Sequence, residues 1–163
     1  MADKSPRAQL DGFIDRYSPE VARLVRAALR KMRARLPGAT ELVYDNYNGL
    51  VIGFGPSDRA SDAVFSLAVY PRWVNLFFLD GAHLDDPHGI LKGEGSRVRR
   101  IALESAATLD DPTVRALMTR ALAASDKRIS RTAQRQTIVK SVSKKQRPRR
   151  LTTRRKHVRG GGS

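Results

Sequence analysis

The chain has 163 residues, 31 Lys and Arg against 16 Asp and Glu, and a formal net charge of +15. That length suits one domain with an appendage. It has no cysteine, which excludes disulfides, thiolate metal sites and cysteine nucleophiles and suits a reducing cytoplasm. No apolar run resembles a signal peptide or reaches the roughly 18 residues of a membrane span, so neither is expected.

The charge is unevenly divided. Residues 1–126 hold 17 basic and 16 acidic residues, whereas residues 127–163 hold 14 basic residues and no acid. A nearly neutral body over 1–126 carrying a cationic tail over 127–163 is the organisation this implies.

In chain order, Leu10, Phe13, Ile14 and Tyr17 recur at helical spacing and predict a short helix over 7–17. Ser18-Pro19 then offers an N-cap and a proline at the first helical position. Val21, Leu24, Val25, Ala28, Met32 and Leu36 form the apolar stripe of the second helix, and Pro37-Gly38 ends it. The period then changes to that of strands. Leu42–Tyr47 and Leu50–Phe54 flank Asn48-Gly49, a two-residue hairpin signal. Ala63–Tyr70 and Trp73–Asp80 flank Pro71-Arg72, a second tight turn. Both of these strands are apolar on two faces, which calls for cover on part of the sheet's second side. Arg97–Leu103 reads as a fifth strand. Asp111-Pro112 opens a third helix with Val114, Leu117, Met118 and Leu122 as its stripe. The predicted fold is α+β: two N-terminal helices, an antiparallel sheet of about five strands, and a C-terminal helix. Beyond Ala124, only Thr137-Ile138-Val139 has strand character, and one short edge strand near 137–142 is expected there. From Ser143 the chain has few apolar residues and is expected to be disordered. Truncation after Ala124 is therefore expected to leave a folded body.

Three runs carry a family resemblance: Leu36-Pro37-Gly38-Ala39-Thr40-Glu41, then Val69-Tyr70-Pro71-Arg72-Trp73-Val74-Asn75-Leu76, then Leu91-Lys92-Gly93-Glu94-Gly95. Over about residues 8–124 the chain resembles the YdhG-like family of small bacterial domains of unknown function. The stretch from Ile138 to Arg150 is similar to the ending of one branch. The resemblance implies an α+β fold related in shape to frataxin, and one branch of the family is described as an intracellular iron chaperone. It implies no catalytic motif. The frataxin-type role relies on an acidic helix, whereas the second helix here carries six basic residues against Glu20.

Four groups of residues are candidates for function. Glu41, Tyr44, Trp73 and Arg99 would line a ligand pocket if the hairpins enclosed a cleft. His83, Asp85, Asp86 and His88, with Asp80 just before, are weak candidates for iron or zinc, because oxygen and nitrogen donors are dense there but fit no specific metal pattern. Lys92 to Arg97 is a glycine-containing turn that lacks the spacing of a phosphate loop. Arg147, Arg149, Arg150, Arg154, Arg155 and Lys156 form a cationic run suited to phosphates, and the tail has no aromatic residue on which a base would stack. No nucleophile motif is present. The expected function is that of a non-enzymatic binding domain with an uncharacterised small ligand or protein partner. A nucleic-acid accessory role through the tail and the basic second helix, and a frataxin-like iron chaperone, are the alternatives.

Overall fold

The computed structural model describes residues 4–151. Helix α1 spans Pro6–Asp15 and α2 spans Pro19–Arg35. The Ser5 and Ser18 hydroxyls cap them by accepting from the amides of Ala8 and Val21. Strands follow at β1 (Thr40–Asp45), β2 (Leu50–Gly55), β3 (Phe65–Val69), β4 (Val74–Phe78) and β5 (Arg99–Leu103). Helix α3 covers Pro112–Ala124 under an Asp111 cap, and β6 covers Gln136–Val142.

The strands form one sheet in the order β5-β4-β3-β2-β1-β6. All pairs are antiparallel except β1 with β6, which is parallel and slips register between Val43 and Tyr44. The expected five-stranded antiparallel sheet is thus a six-stranded mixed one. A parallel neighbour needs a long crossover. Here the crossover runs through β2 to β5, α3 and the segment 125–135, so no local pattern signals it.

Strand alternation sorts the faces. Val43, Leu50, Ile52, Phe54, Phe65, Leu67, Val69, Leu76 and Phe78 join one buried core with Val25, Leu29 and Met32 of α2 and Val114, Leu117 and Met118 of α3. On the opposite face Leu42 is buried and Tyr44, Val51 and Phe77 are half-buried. Gly38 is required by a close crossing: a Cβ there would lie 1.9 Å from the carbonyl oxygen of Ser130, in the segment that leads to β6.

The expectation of disorder from Ser143 is overturned as far as Leu151. The Ser143 amide donates to the Asp45 carbonyl at 2.8 Å and the Arg147 amide to the Tyr47 carbonyl at 2.9 Å. The segment following β6 is thereby tied across the β1–β2 turn. Polar anchoring, rather than apolar burial, supplies the ordering energy. The remainder of the cationic tail, with Arg154, Arg155 and Lys156, lies outside the described residues.

Candidate functional site

The end of the sheet where the β1–β2 and β3–β4 turns lie is built around a buried carboxylate. Asp45 is the last residue of β1 and, by alternation, points to the helix side with Glu41 and Val43. It is 1% exposed and needs compensation. Arg149 supplies it: its guanidinium donates to Asp45 Oδ1 at 2.9 Å and is itself 3% exposed. The same group donates to the carbonyls of Asn46 and Tyr47 and lies 5.8 Å from the ring centroid of Tyr17. Gln146 Nε2 donates to Asp45 Oδ2 at 2.8 Å, and Arg16 approaches the same oxygen at 3.5 Å. Tyr17 completes the cluster by donating to Val69 O at 2.9 Å and accepting from the Leu50 amide at 3.0 Å. Burial pushes its phenol pKa up, opposed by the charge of Arg149. Arg149 is therefore a structural residue, not a surface contact for nucleic acid. Arg150 donates to the carbonyls of Asp15 and Arg16 at 3.3 and 3.2 Å, where a cation meets the negative end of α1.

The turns themselves depart from the sequence pattern. The Asn46 amide bonds Gly49 O at 3.0 Å, so Tyr47-Asn48, not Asn48-Gly49, is the centre of the first turn. Positive φ among the described residues occurs only at Gly89 and Gly93. Gly49 is needed for space instead: a Cβ would meet Val69 O at 2.5 Å and the Tyr70 ring at 3.0 Å. The second turn is as expected, with Pro71-Arg72 closed by Tyr70 N donating to Trp73 O at 2.9 Å.

These two turns and the segment 147–151 enclose an open cleft of about 660 Å³. Its walls are Tyr70, Pro71, Arg72 and Trp73 on one side and Arg147, Pro148, Arg150 and Leu151 on the other, with Asn48 at the edge. No carboxylate lines it. Trp73 is 55% exposed, and its ring is tilted at 52° to Tyr70 with centroids 6.3 Å apart. Among the described residues the guanidiniums of Arg72 and Arg147 have no hydrogen-bond or ion-pair partner, and that of Arg150 meets only backbone carbonyls. A second cleft of about 790 Å³ continues from Trp73 toward α2 and β5 and carries Glu20 and Glu104.

The four residues expected to share a pocket are dispersed. Glu41 is 1% exposed on the helix side, where Arg33 grips both its oxygens at 2.7 and 2.8 Å and the Thr137 hydroxyl donates at 3.1 Å. The hydrogen bonding of Arg33 to Glu41 raises the Arg33 pKa, against the opposing effect of burial. Tyr44 faces the other side of the sheet, its hydroxyl buried without a partner among the described residues and its pKa raised by burial. Arg99 is on β5, four strand positions from β1, or roughly 19 Å at the usual spacing. It donates to the carbonyls of its own preceding loop, at Gly95 and Val98. Of the four, only Trp73 lines the cleft.

The metal candidates are either engaged elsewhere or exposed. Asp86 accepts the amides of Ile90 and Leu91 at 3.1 and 2.9 Å, and Asp80 pairs with Arg97. His83, Asp85 and His88 are exposed. Among the described residues no group of three His, Asp or Glu side chains is positioned to hold a metal ion.

The basic face of α2 is mostly neutralised. Arg26 pairs with Asp11 and Asp15, Lys31 and Arg35 with Asp110, and Arg33 with Glu41. Among the described residues Arg23 and Arg30 have no carboxylate partner. Among them, too, no helix is long and apolar enough to cross a membrane. Comparison with known protein families, curated proteins and solved structures finds no match to this chain.

Proposed function

We propose that this chain is a non-enzymatic, cytoplasmic binding domain of the YdhG-like kind that holds nucleic acid by its phosphates at the turn end of the sheet. One observation carries the reading: a cleft free of carboxylates is bordered by three arginines, two of which have no partner among the described residues. Arginines without a partner among the described residues occur elsewhere too, Arg30, Arg59, Arg100 and Arg115 among them, but the other clefts of the described residues each carry a carboxylate and this one does not. The chain continues from Leu151, at the rim of this cleft, into a segment that adds Arg154, Arg155, Lys156 and Arg159 and no acid. Phosphates that replace condensed counterions with such side chains give affinity that falls steeply with salt.

The test is the salt dependence of binding of the full chain to a labelled oligonucleotide. Arg72→Gln with Arg147→Gln removes two unpartnered cations without touching the Asp45 cluster. The expected result is a log Kd–log salt slope lowered by about 1.4 to 1.8 for the pair. An unchanged slope places the phosphates elsewhere, with Arg23 and Arg30 of α2 the next to test.

A further inference from the structure

We propose that the strand bound at this cleft is single-stranded, its bases stacking on Trp73 and Tyr70 while Arg72, Arg147 and Arg150 take the phosphates. This rests on the phosphate reading above and adds to it the class of nucleic acid. The tail carries no aromatic residue, but the fold brings it to three: Tyr70 and Trp73 across the cleft, and Tyr47, 52% exposed on the turn that holds the Arg147 amide. Trp73 is the chain's single tryptophan, and more than half of it is exposed. Its backbone is fixed by a two-residue turn, so little ordering is needed on binding. Trp73 and Tyr70 are tilted at 52° rather than stacked in parallel on one another.

Cations line the same cleft as these rings, with Arg72 preceding Trp73 in the chain and Arg147 and Arg150 on the opposite wall. Stacking rings beside a positive groove is the arrangement that binds single strands with little sequence preference. A duplex presents its phosphates to such a surface but keeps its base faces inside the stack, out of reach of an indole. The cleft, about 660 Å³, falls in the size range of pockets for small organic ligands and so admits a nucleotide or two. The adjoining cleft, which carries Glu20 and Glu104 beside Arg23, shares Arg72, Trp73, Arg150 and Leu151 with this one.

Because Trp73 is the only tryptophan, fluorescence excited beyond the tyrosine absorption band reports this site alone. The full chain is titrated at low salt with a 12-residue oligothymidylate, a duplex of equal charge, and heparin. The expected result is that the single strand quenches Trp73 and the duplex and heparin do not. Trp73→Ala, read by anisotropy of a labelled oligothymidylate, then weakens single-strand binding about 5- to 150-fold, and duplex binding less than twofold. Trp73→Phe recovers part of the loss. Trp73 is exposed, so the variants are expected to melt with the parent. Equal affinity for the single strand and the duplex, or single-strand binding unaffected by Trp73→Ala, overturns the single-strand inference. If the salt slope still falls in the Arg72/Arg147 variant, the phosphate reading survives that outcome. Absence of binding to any of the three at low salt ends both.

Discussion

Arg149→Met removes the cation from a buried ion pair while keeping most of the apolar stem. Asp45 and Arg149 are 1% and 3% exposed and meet at 2.9 Å. Removing one partner of such a pair generally costs about 3–5 kcal/mol, because the other charge is left in a poor environment. Two features set this case at the lower end. Gln146 still donates to Asp45, and Arg16 remains at 3.5 Å. Arg149 Nε is buried without a partner among the described residues, an existing penalty that the substitution relieves. Against this, the carbonyls of Asn46 and Tyr47 lose a donor. A loss of about 3 kcal/mol corresponds to a fall in Tm of about 6–12 °C for a domain of this size. Urea and thermal melts of Arg149→Met, Asp45→Asn and the double variant measure it. The double variant is expected to be more stable than the sum of the single changes implies, since it leaves no unpaired charge. An Arg149→Met variant that melts within about 2 °C of the parent, or strictly additive single changes, would refute the assignment of Arg149 to the interior.

Three further outcomes follow from the same geometry. Truncation after Ala124, which the sequence alone suggests would leave a folded body, removes β6 and the cation opposite Asp45, so a broadened or absent thermal transition is expected instead; matching melts for the parent and the truncated chain would contradict the pairing of β1 with β6. Gly49→Ala forces a Cβ to within 2.5 Å of Val69 O and is expected to destabilise by about 1–3 kcal/mol in urea melts; a neutral result would mean the turn is free to shift. The Tyr17 phenol, its pKa raised by burial, gives up its proton more readily in the unfolded chain, so its contribution to stability is complete below about pH 10 and is lost as pH rises through its folded value; Tyr17→Phe is expected to remove a late phase of the phenolate absorbance titration, and an unaltered titration would contradict its burial.

Much of the fold is written locally. Ser18-Pro19 and Asp111-Pro112 begin helices where capping chemistry says they should, and Pro71-Arg72 makes the turn that its position between two apolar runs implies. The first hairpin was legible in place but not in detail, because Gly49 answers to the Val69 carbonyl of a strand some twenty residues away rather than to a φ requirement. Strand character at Thr137-Ile138-Val139 was legible as well, but its partner was not: parallel pairing with β1 depends on what the intervening chain leaves uncovered. The largest departure lies in the segment after β6. Its arginines look solvated in sequence, yet Arg149 is interior. A signal was present: alternation puts Asp45 on the same side as Val43, and a carboxylate on a core-facing position demands a cation from somewhere. Glu41, four positions before Asp45 on the same strand, makes the same demand, and Arg33 meets it. The cleft was out of reach for the same reason, since it exists only because the 147–151 segment returns to the Trp73 turn.

The most direct test of the central claim is a map of amide chemical-shift changes in the full, isotopically labelled chain on titration with oligothymidylate at low salt. The largest changes are expected at Tyr47, Asn48, Tyr70, Arg72, Trp73, Arg147 and 149–151, around the cleft that Trp73 and Arg147 line. Changes concentrated on α2 around Arg23 and Arg30, or scattered evenly over the basic surface, would contradict it.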